Sequence, residues 1–133
     1  MFGNTTAFSS FSVDDLDAAR RFYGETLGLE TTFEEAAEAE DMRVLFLTLS
    51  GGGRVFVYPK GGEHAPASFT VLNFQVDDIE SAVDGLKAKG VEPQRYPGFE
   101  FDDKGICRQG EGGGPAIAWF TDPAKNVFAV LQR

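Results

Sequence analysis

The chain has 133 residues, 42% hydrophobic and 25% charged, the size and composition of one globular domain with a real core rather than a disordered segment. Its formal charge of −9 offers no clustered Lys and Arg to displace counterions from a duplex, which argues against nucleic acid as a partner. No apolar run approaches the roughly 18–20 residues of a membrane span, and MFGNTTAFSS lacks the basic and apolar regions of a signal peptide, so a cytoplasmic protein with no membrane partner is the expectation.

Residues 6–13 predict a strand. Asp14-Asp15 then stops it and caps a helix whose Leu16, Ala19, Tyr23 and Leu27 share one face. Short strands follow over 29–33 and 43–49, joined by the acidic connection Glu34 to Asp41. Gly51-Gly52-Gly53 makes a hairpin, because glycine tolerates the positive φ of such turns, and residues 54–58 return as a strand. The first half is therefore β-α-β-β-β, and the turn-rich stretch 60–67 reads as a linker.

The second half repeats the first. At one constant offset, Phe11, Val13, Asp14, Asp15 and Ala19 recur as Phe74, Val76, Asp77, Asp78 and Ala82. Asp77 and Glu80 have the spacing of a capping box. Ile79, Ala82, Val83 and Leu86 form the apolar face of the second helix. Strands are expected over 68–76, 91–96, 105–109, 116–120 and 126–131, with a hairpin at 110–115 and a turn at 121–125. The whole reads as one α+β domain, residues 1–133, built of two tandem β-α-β-β-β modules at about 5–59 and 68–133.

These motifs resemble the vicinal oxygen chelate superfamily, which includes glyoxalase I, extradiol dioxygenases, fosfomycin resistance enzymes and bleomycin-binding proteins. The matching features are V-D-D-L-D, F-Y and L-G-L in the first half, V-D-D-I and G-V in the second, and W-F-x-D-P with a following N near the end. The resemblance implies that the strands curl around a U-shaped cleft, and that the protein is a homodimer. In its metal-dependent members four residues hold a divalent ion. Carried over by position, these fall on Phe8, Phe56, Val71 and Ala129, none of which can bind a metal. Lys125 stands where relatives usually have glycine. Independently of the resemblance, the single histidine, His64, and single cysteine, Cys107, leave few of the ligands that zinc or non-haem iron sites need. No metal and no cofactor is expected.

Alternation along the strands then names the cleft residues: Phe8, Ser10 and Ser12; Arg54, Phe56 and Tyr58; Phe69, Val71, Asn73 and Gln75; Val127, Ala129 and Leu131. Trp119 or Phe120 adds a further wall. This is an apolar, aromatic cleft with a few neutral polar groups, as small-molecule sites are. Tyr96, Phe99, Phe101 and Asp103 are candidates for a lid. His64, in a Gly/Pro linker beside Glu63, reads as a solvated loop residue, and Cys107 as a plain semi-buried thiol. The expected function is metal-independent binding of an apolar or aromatic small molecule. The alternatives are a metal-free lyase, isomerase or epimerase using Glu100, Asp103, Tyr58 or Tyr96 as acid–base groups, a protein acting through its dimer surface, and a disfavoured metal-dependent glyoxalase- or dioxygenase-like enzyme.

Overall fold

In the computed structural model, residues 1–35, 42–108 and 115–133 are described. Most of the acidic connection and most of the hairpin at 110–115 lie outside them. The chain divides into two compact units, Met1–Ala65 and Pro66–Arg133, each an α+β unit with one four-stranded mixed sheet.

In the first unit β1 (Ser9–Val13), β2 (Glu30–Glu35), β3 (Arg43–Thr48) and β4 (Arg54–Pro59) lie in the order β1-β4-β3-β2. β2, β3 and β4 form an antiparallel meander, and β1 docks parallel to β4. The β3–β4 hairpin turns on Gly51 and Gly52, at φ 98° and 93°, where a side chain would be strained. Helix α1 (Leu16–Arg20) begins at Asp15, whose carboxylate accepts the Ala18 N–H at 3.1 Å.

From Arg21 to Thr26 the helix widens to π geometry, with the Leu27 N–H bonded to the Phe22 carbonyl at 2.9 Å. Both of the consecutive residues Phe22 and Tyr23 are buried there. Tyr23 packs on Phe11 at 5.8 Å between ring centroids. Phe11, Val13, Leu45, Leu47, Val55 and Val57 fill the helix-side core, each fully buried aliphatic side chain contributing about 1.5–3 kcal/mol. Adjacent strand residues point to opposite faces, so this core leaves Ser10, Ser12, Phe46, Phe56 and Tyr58 on the other face.

In the second unit β5 (Thr70–Gln75), β6 (Cys107–Arg108), β7 (Ala116–Thr121) and β8 (Val127–Gln132) lie in the order β5-β8-β7-β6. β5 is parallel to β8 and the remaining pairs are antiparallel, so the second sheet repeats the first. Helix α2 (Ile79–Ala88) covers one face, burying Ile79, Val83 and Leu86 against a core that includes Phe120 stacked on Phe128.

Two expectations need correction. The N-cap of α2 is Asp78, not Asp77. It accepts the Ser81 N–H at 3.2 Å and the Ser81 hydroxyl at 2.9 Å, so the D-x-x-E capping box does not form because the helix starts one residue later. The two caps, Asp15 and Asp78, are equivalent positions of the repeat. The strand expected over 91–96 is also absent: only an isolated bridge joins Gln94 to Trp119, because Pro93 has no N–H to extend a ladder.

The turn Thr121 to Asn126 is a buried polar knot. Asp122 and Asn126 are each only 2% exposed. Asp122 Oδ1 accepts the Asn126 N–H at 2.9 Å, and Asp122 Oδ2 accepts from Asn126 Nδ2 at 3.3 Å. Asn126 Oδ1 in turn accepts the Ala67 N–H at 3.2 Å. Lys125 sits at φ 70°, the left-handed conformation that explains why glycine suits this position.

Candidate functional site

The open face of the first sheet is aromatic. Its centre is Phe56 on β4, whose cross-strand partners are Ser10 on β1 and Phe46 on β3. Phe56 lies 5.3 Å from Phe46, 6.1 Å from Phe8 in edge contact, and 5.7 Å from Tyr58 in a stacked arrangement. Phe8, just before β1, is 67% exposed. A large ring held that open to solvent, against a half-buried aromatic strip, is a surface prepared for contact. The Arg54 guanidinium closes one end, 3.8 Å above the Phe46 ring and bonded to Glu34 at 3.2 Å.

At the other end are Ser12 and His64. Ser12 faces Tyr58 across the β1–β4 ladder. Its hydroxyl lies 2.7 Å from His64 Nδ1. The loop after β4 delivers this imidazole: the Lys60 N–H bonds to the Val13 carbonyl at 2.8 Å, and a 3-10 turn over Gly61–Glu63 brings His64 back to β1. His64 is half-buried and bonded, not the solvated loop residue expected. Local composition shows only a polar linker, and nothing local encodes a partner as distant in sequence as Ser12.

The second sheet resolves which aromatic shares the face of Ala129. Trp119 is paired with Ala129 and faces the same way, while Phe120 is in the core. Asn73 and Gln75 pair with Ala129 and Leu131 and are exposed. Ala129 has 0% exposure, so it shapes this face without presenting surface. Val71 lies at a register irregularity between Thr70 and Leu72, which interrupts side-chain alternation there. Phe69 is exposed and precedes β5, Val127 is buried and Leu131 is half-buried.

The lid candidates converge on Trp119. Tyr96, Phe99 and Phe101 place their rings 5.7, 5.3 and 6.1 Å from it. Burial pushes the Tyr96 hydroxyl pKa above its ordinary value, so it remains a proton donor at neutral pH. Asp103 and Glu100 are exposed and do not enter this cluster. The carboxylate that organises the loop is Asp102. Burial opposes its ionisation, but the N–H groups of Ile106 and Lys104, with Arg108 alongside, outweigh that and hold its pKa below the usual value. Asp102 and Gly105 are the first and last residues of a turn closed by the Gly105 N–H to the Asp102 carbonyl at 3.0 Å, and the D-x-x-G spacing is the signal that singles out Asp102. Cys107 is buried, and Arg108 turns to Asp102 and Glu80.

Phe8, Phe56, Val71 and Ala129, where the resemblance implies metal ligands, bear side chains of carbon and hydrogen alone and do not fit a divalent ion. Among the described residues no group of three or more His, Cys, Asp and Glu side chains is placed to hold one, and no helix is long and apolar enough to cross a membrane. A groove of about 470 Å³ lined by Asp17, Arg20, Arg21, Glu25, Thr31 and Phe33 lies apart from the aromatic strip. Its lining is almost wholly charged or polar, with Arg20 paired to Glu25 and Asp17 to Arg43, unlike the mostly apolar lining of a small-molecule site.

Comparison with known proteins agrees with this architecture. A family model described as Glyoxalase/Bleomycin resistance protein/Dioxygenase superfamily matches residues 6–130. A probable chloroplastic lactoylglutathione lyase of Arabidopsis thaliana is 28% identical over 129 residues, covering 92% of this chain but 34% of that protein. The chain thus spans about a third of that relative's length. A glyoxalase family protein from Enterococcus faecalis superposes with a TM-score of 0.69 at 21% identity, covering 98% of this chain and 99% of the other. An antibiotic binding protein from Streptomyces sp. CB03234 superposes with a TM-score of 0.67 at 21% identity, covering 97% of each chain.

Proposed function

The chain belongs to the glyoxalase/bleomycin resistance protein/dioxygenase superfamily, and from that premise we propose that it is a small-molecule binding protein that needs no metal ion and seats an apolar or aromatic ligand on the open face of its first sheet. The observation that carries this reading is a substitution of chemistry: Phe8 and Phe56 occupy positions where the resemblance implies metal ligands, and their rings are part of the strip formed with Phe46 and Tyr58. Within the second unit, Trp119 with Tyr96, Phe99 and Phe101 forms a separate aromatic group, proposed as a lid over the open face of that unit's own sheet, where Asn73 and Gln75 are exposed hydrogen-bonding groups on the same face as Trp119. The protein named as antibiotic binding supports the use of this fold as a binder. A cytoplasmic location and homodimerisation are also part of the proposal, the latter resting on the resemblance.

Calorimetry and thermal shift against a panel of aromatic metabolites and antibiotics, with elemental analysis of the purified protein, test it. The expected result is saturable binding to metal-free protein. Replacing Phe56 with Ala removes the ring that touches Phe8, Phe46 and Tyr58. At about 0.5–1.5 kcal/mol for one ring–ligand contact, affinity should fall by about two- to tenfold. A panel with no binder, or binding that requires a stoichiometric metal, overturns the reading. A second reading, a metal-free lyase or isomerase, draws on the lyase named among the relatives and on the titratable Tyr58 and His64 at the strip. It predicts consumption of a bound ligand at a rate that falls when Tyr58 becomes Phe.

A further inference from the structure

At the end away from Arg54, the strip finishes in the bonded pair Ser12 and His64, and that pair narrows the ligand class. We infer that Ser12 and His64 form a hydrogen-bonding anchor for a hydroxyl group carried on an aromatic ring, an inference that rests on the binding reading above.

Three observations carry it. The pair is held by the backbone: the Lys60 N–H clamps the loop to Val13, and the His64 N–H closes the 3-10 turn on the Gly61 carbonyl at 3.2 Å. It stands on the open face rather than in the helix-side core, both residues being half-buried. It also adjoins the stacked rings, since Ser12 pairs with Tyr58, which stacks on Phe56 at an interplanar angle of 24°.

The chemistry then selects the ligand. A serine hydroxyl has one donor and two acceptor lone pairs, and a neutral imidazole carries its proton on either nitrogen. The 2.7 Å contact between them runs in either direction, so a change of tautomer reverses which of the two donates. A partner that both donates and accepts, at the edge of a ring lying on Phe56 and Tyr58, suits both states. An aromatic hydroxyl does so. Its methyl ether keeps the ring and the acceptor but has lost the donor.

The test is calorimetric titration of the wild-type protein, Ser12→Ala and His64→Leu with two probes, 2-naphthol and 2-methoxynaphthalene. One net hydrogen bond corresponds to a preference of roughly two- to tenfold. The expected result is that preference for naphthol in the wild type and a ratio near one in both variants, naphthol losing more affinity than the ether. Equal binding of the two probes to the wild type, or a preference that survives in both variants, overturns the anchor and leaves the aromatic binding reading standing. Loss of both probes in a variant assigns the pair to holding the fold, and also overturns it. Failure of both probes to bind the folded wild type removes the aromatic binding reading and the anchor together.

Discussion

Replacing Asn126 with Ala tests the polar knot that closes the β7–β8 hairpin. The side-chain hydrogen bonds lost include two that can be weighed separately. Asp122 Oδ2 loses the donor at 3.3 Å, and the Ala67 N–H loses the acceptor at 3.2 Å. Asp122 is 2% exposed, so water does not replace the first, at about 1–3 kcal/mol. Ala67 is half-buried, so water replaces part of the second, leaving about 0.5–1 kcal/mol. Together the substitution should cost about 1.5–4 kcal/mol, a fall of about 1–2 M in the urea midpoint at a typical slope. The single tryptophan, Trp119, lies in the same unit and reports the transition by fluorescence.

Asn126→Asp sharpens the test. It keeps an acceptor for Ala67 but sets a second carboxylate about 3.3 Å from the first, worth on the order of 3–5 kcal/mol of repulsion when both are ionised. Such a pair holds a proton more tightly folded than unfolded. Its penalty therefore grows as pH rises above about 4, the ordinary carboxylate range, and disappears below it, a steeper dependence than that of the Ala variant, which only loses a donor to the Asp122 carboxylate. An Ala variant indistinguishable in stability from wild type, or an Asp variant no worse than Ala at pH 7, refutes the reasoning.

Gly105→Ala should destabilise by about 2–4 kcal/mol in the same urea assay, because φ there is 85° and an added Cβ meets the Pro93 ring at 2.6 Å. Lys125→Gly should raise stability by up to about 1 kcal/mol, relieving the strain at φ 70°; a loss of stability contradicts that account. Asp102 titrates below its ordinary 3.8, so its contribution is present above that pH and is lost as pH falls through the lower folded value. Asp102→Asn should therefore be less stable than wild type at pH 7, with the gap closing below about pH 3.8 in acid titration of the urea midpoint; a gap that does not change with pH counts against the carboxylate as its source.

The repeat makes most of the architecture readable. Residues at the same place in the two copies share roles in space, as the caps Asp15 and Asp78 show. Alternation puts Ser10, Ser12, Phe56 and Tyr58 on one face, because β1 and β4 keep regular register there, but it omits Phe46, which β3 brings beside Phe56. It falters at Val71, where an irregularity breaks the count, and it does not choose between Trp119 and Phe120. The π segment has no composition signal of its own. The Ser12–His64 contact is the largest omission, because so long-range a hydrogen bond depends on how a turn folds back, and periodicity carries no information about that.

The parallel docking of β1 on β4 has a consequence for the order in which the site comes into being. The β3–β4 hairpin pairs near neighbours in sequence, Thr48 with Arg54, whereas Ser10 must find Phe56, with most of the first unit between them. Closing that longer loop costs about 2 kcal/mol more in chain entropy, so the meander is expected to form first and β1 to arrive late. Phe8 and Ser12 travel with β1, while Phe46, Phe56 and Tyr58 are already in place on the meander. The aromatic strip and its polar end are thus completed by one late event, and a ligand gripping both sides would act as a clasp on the strand most easily shed. Bound ligand should then slow hydrogen exchange of the β1 amides more than those of β3.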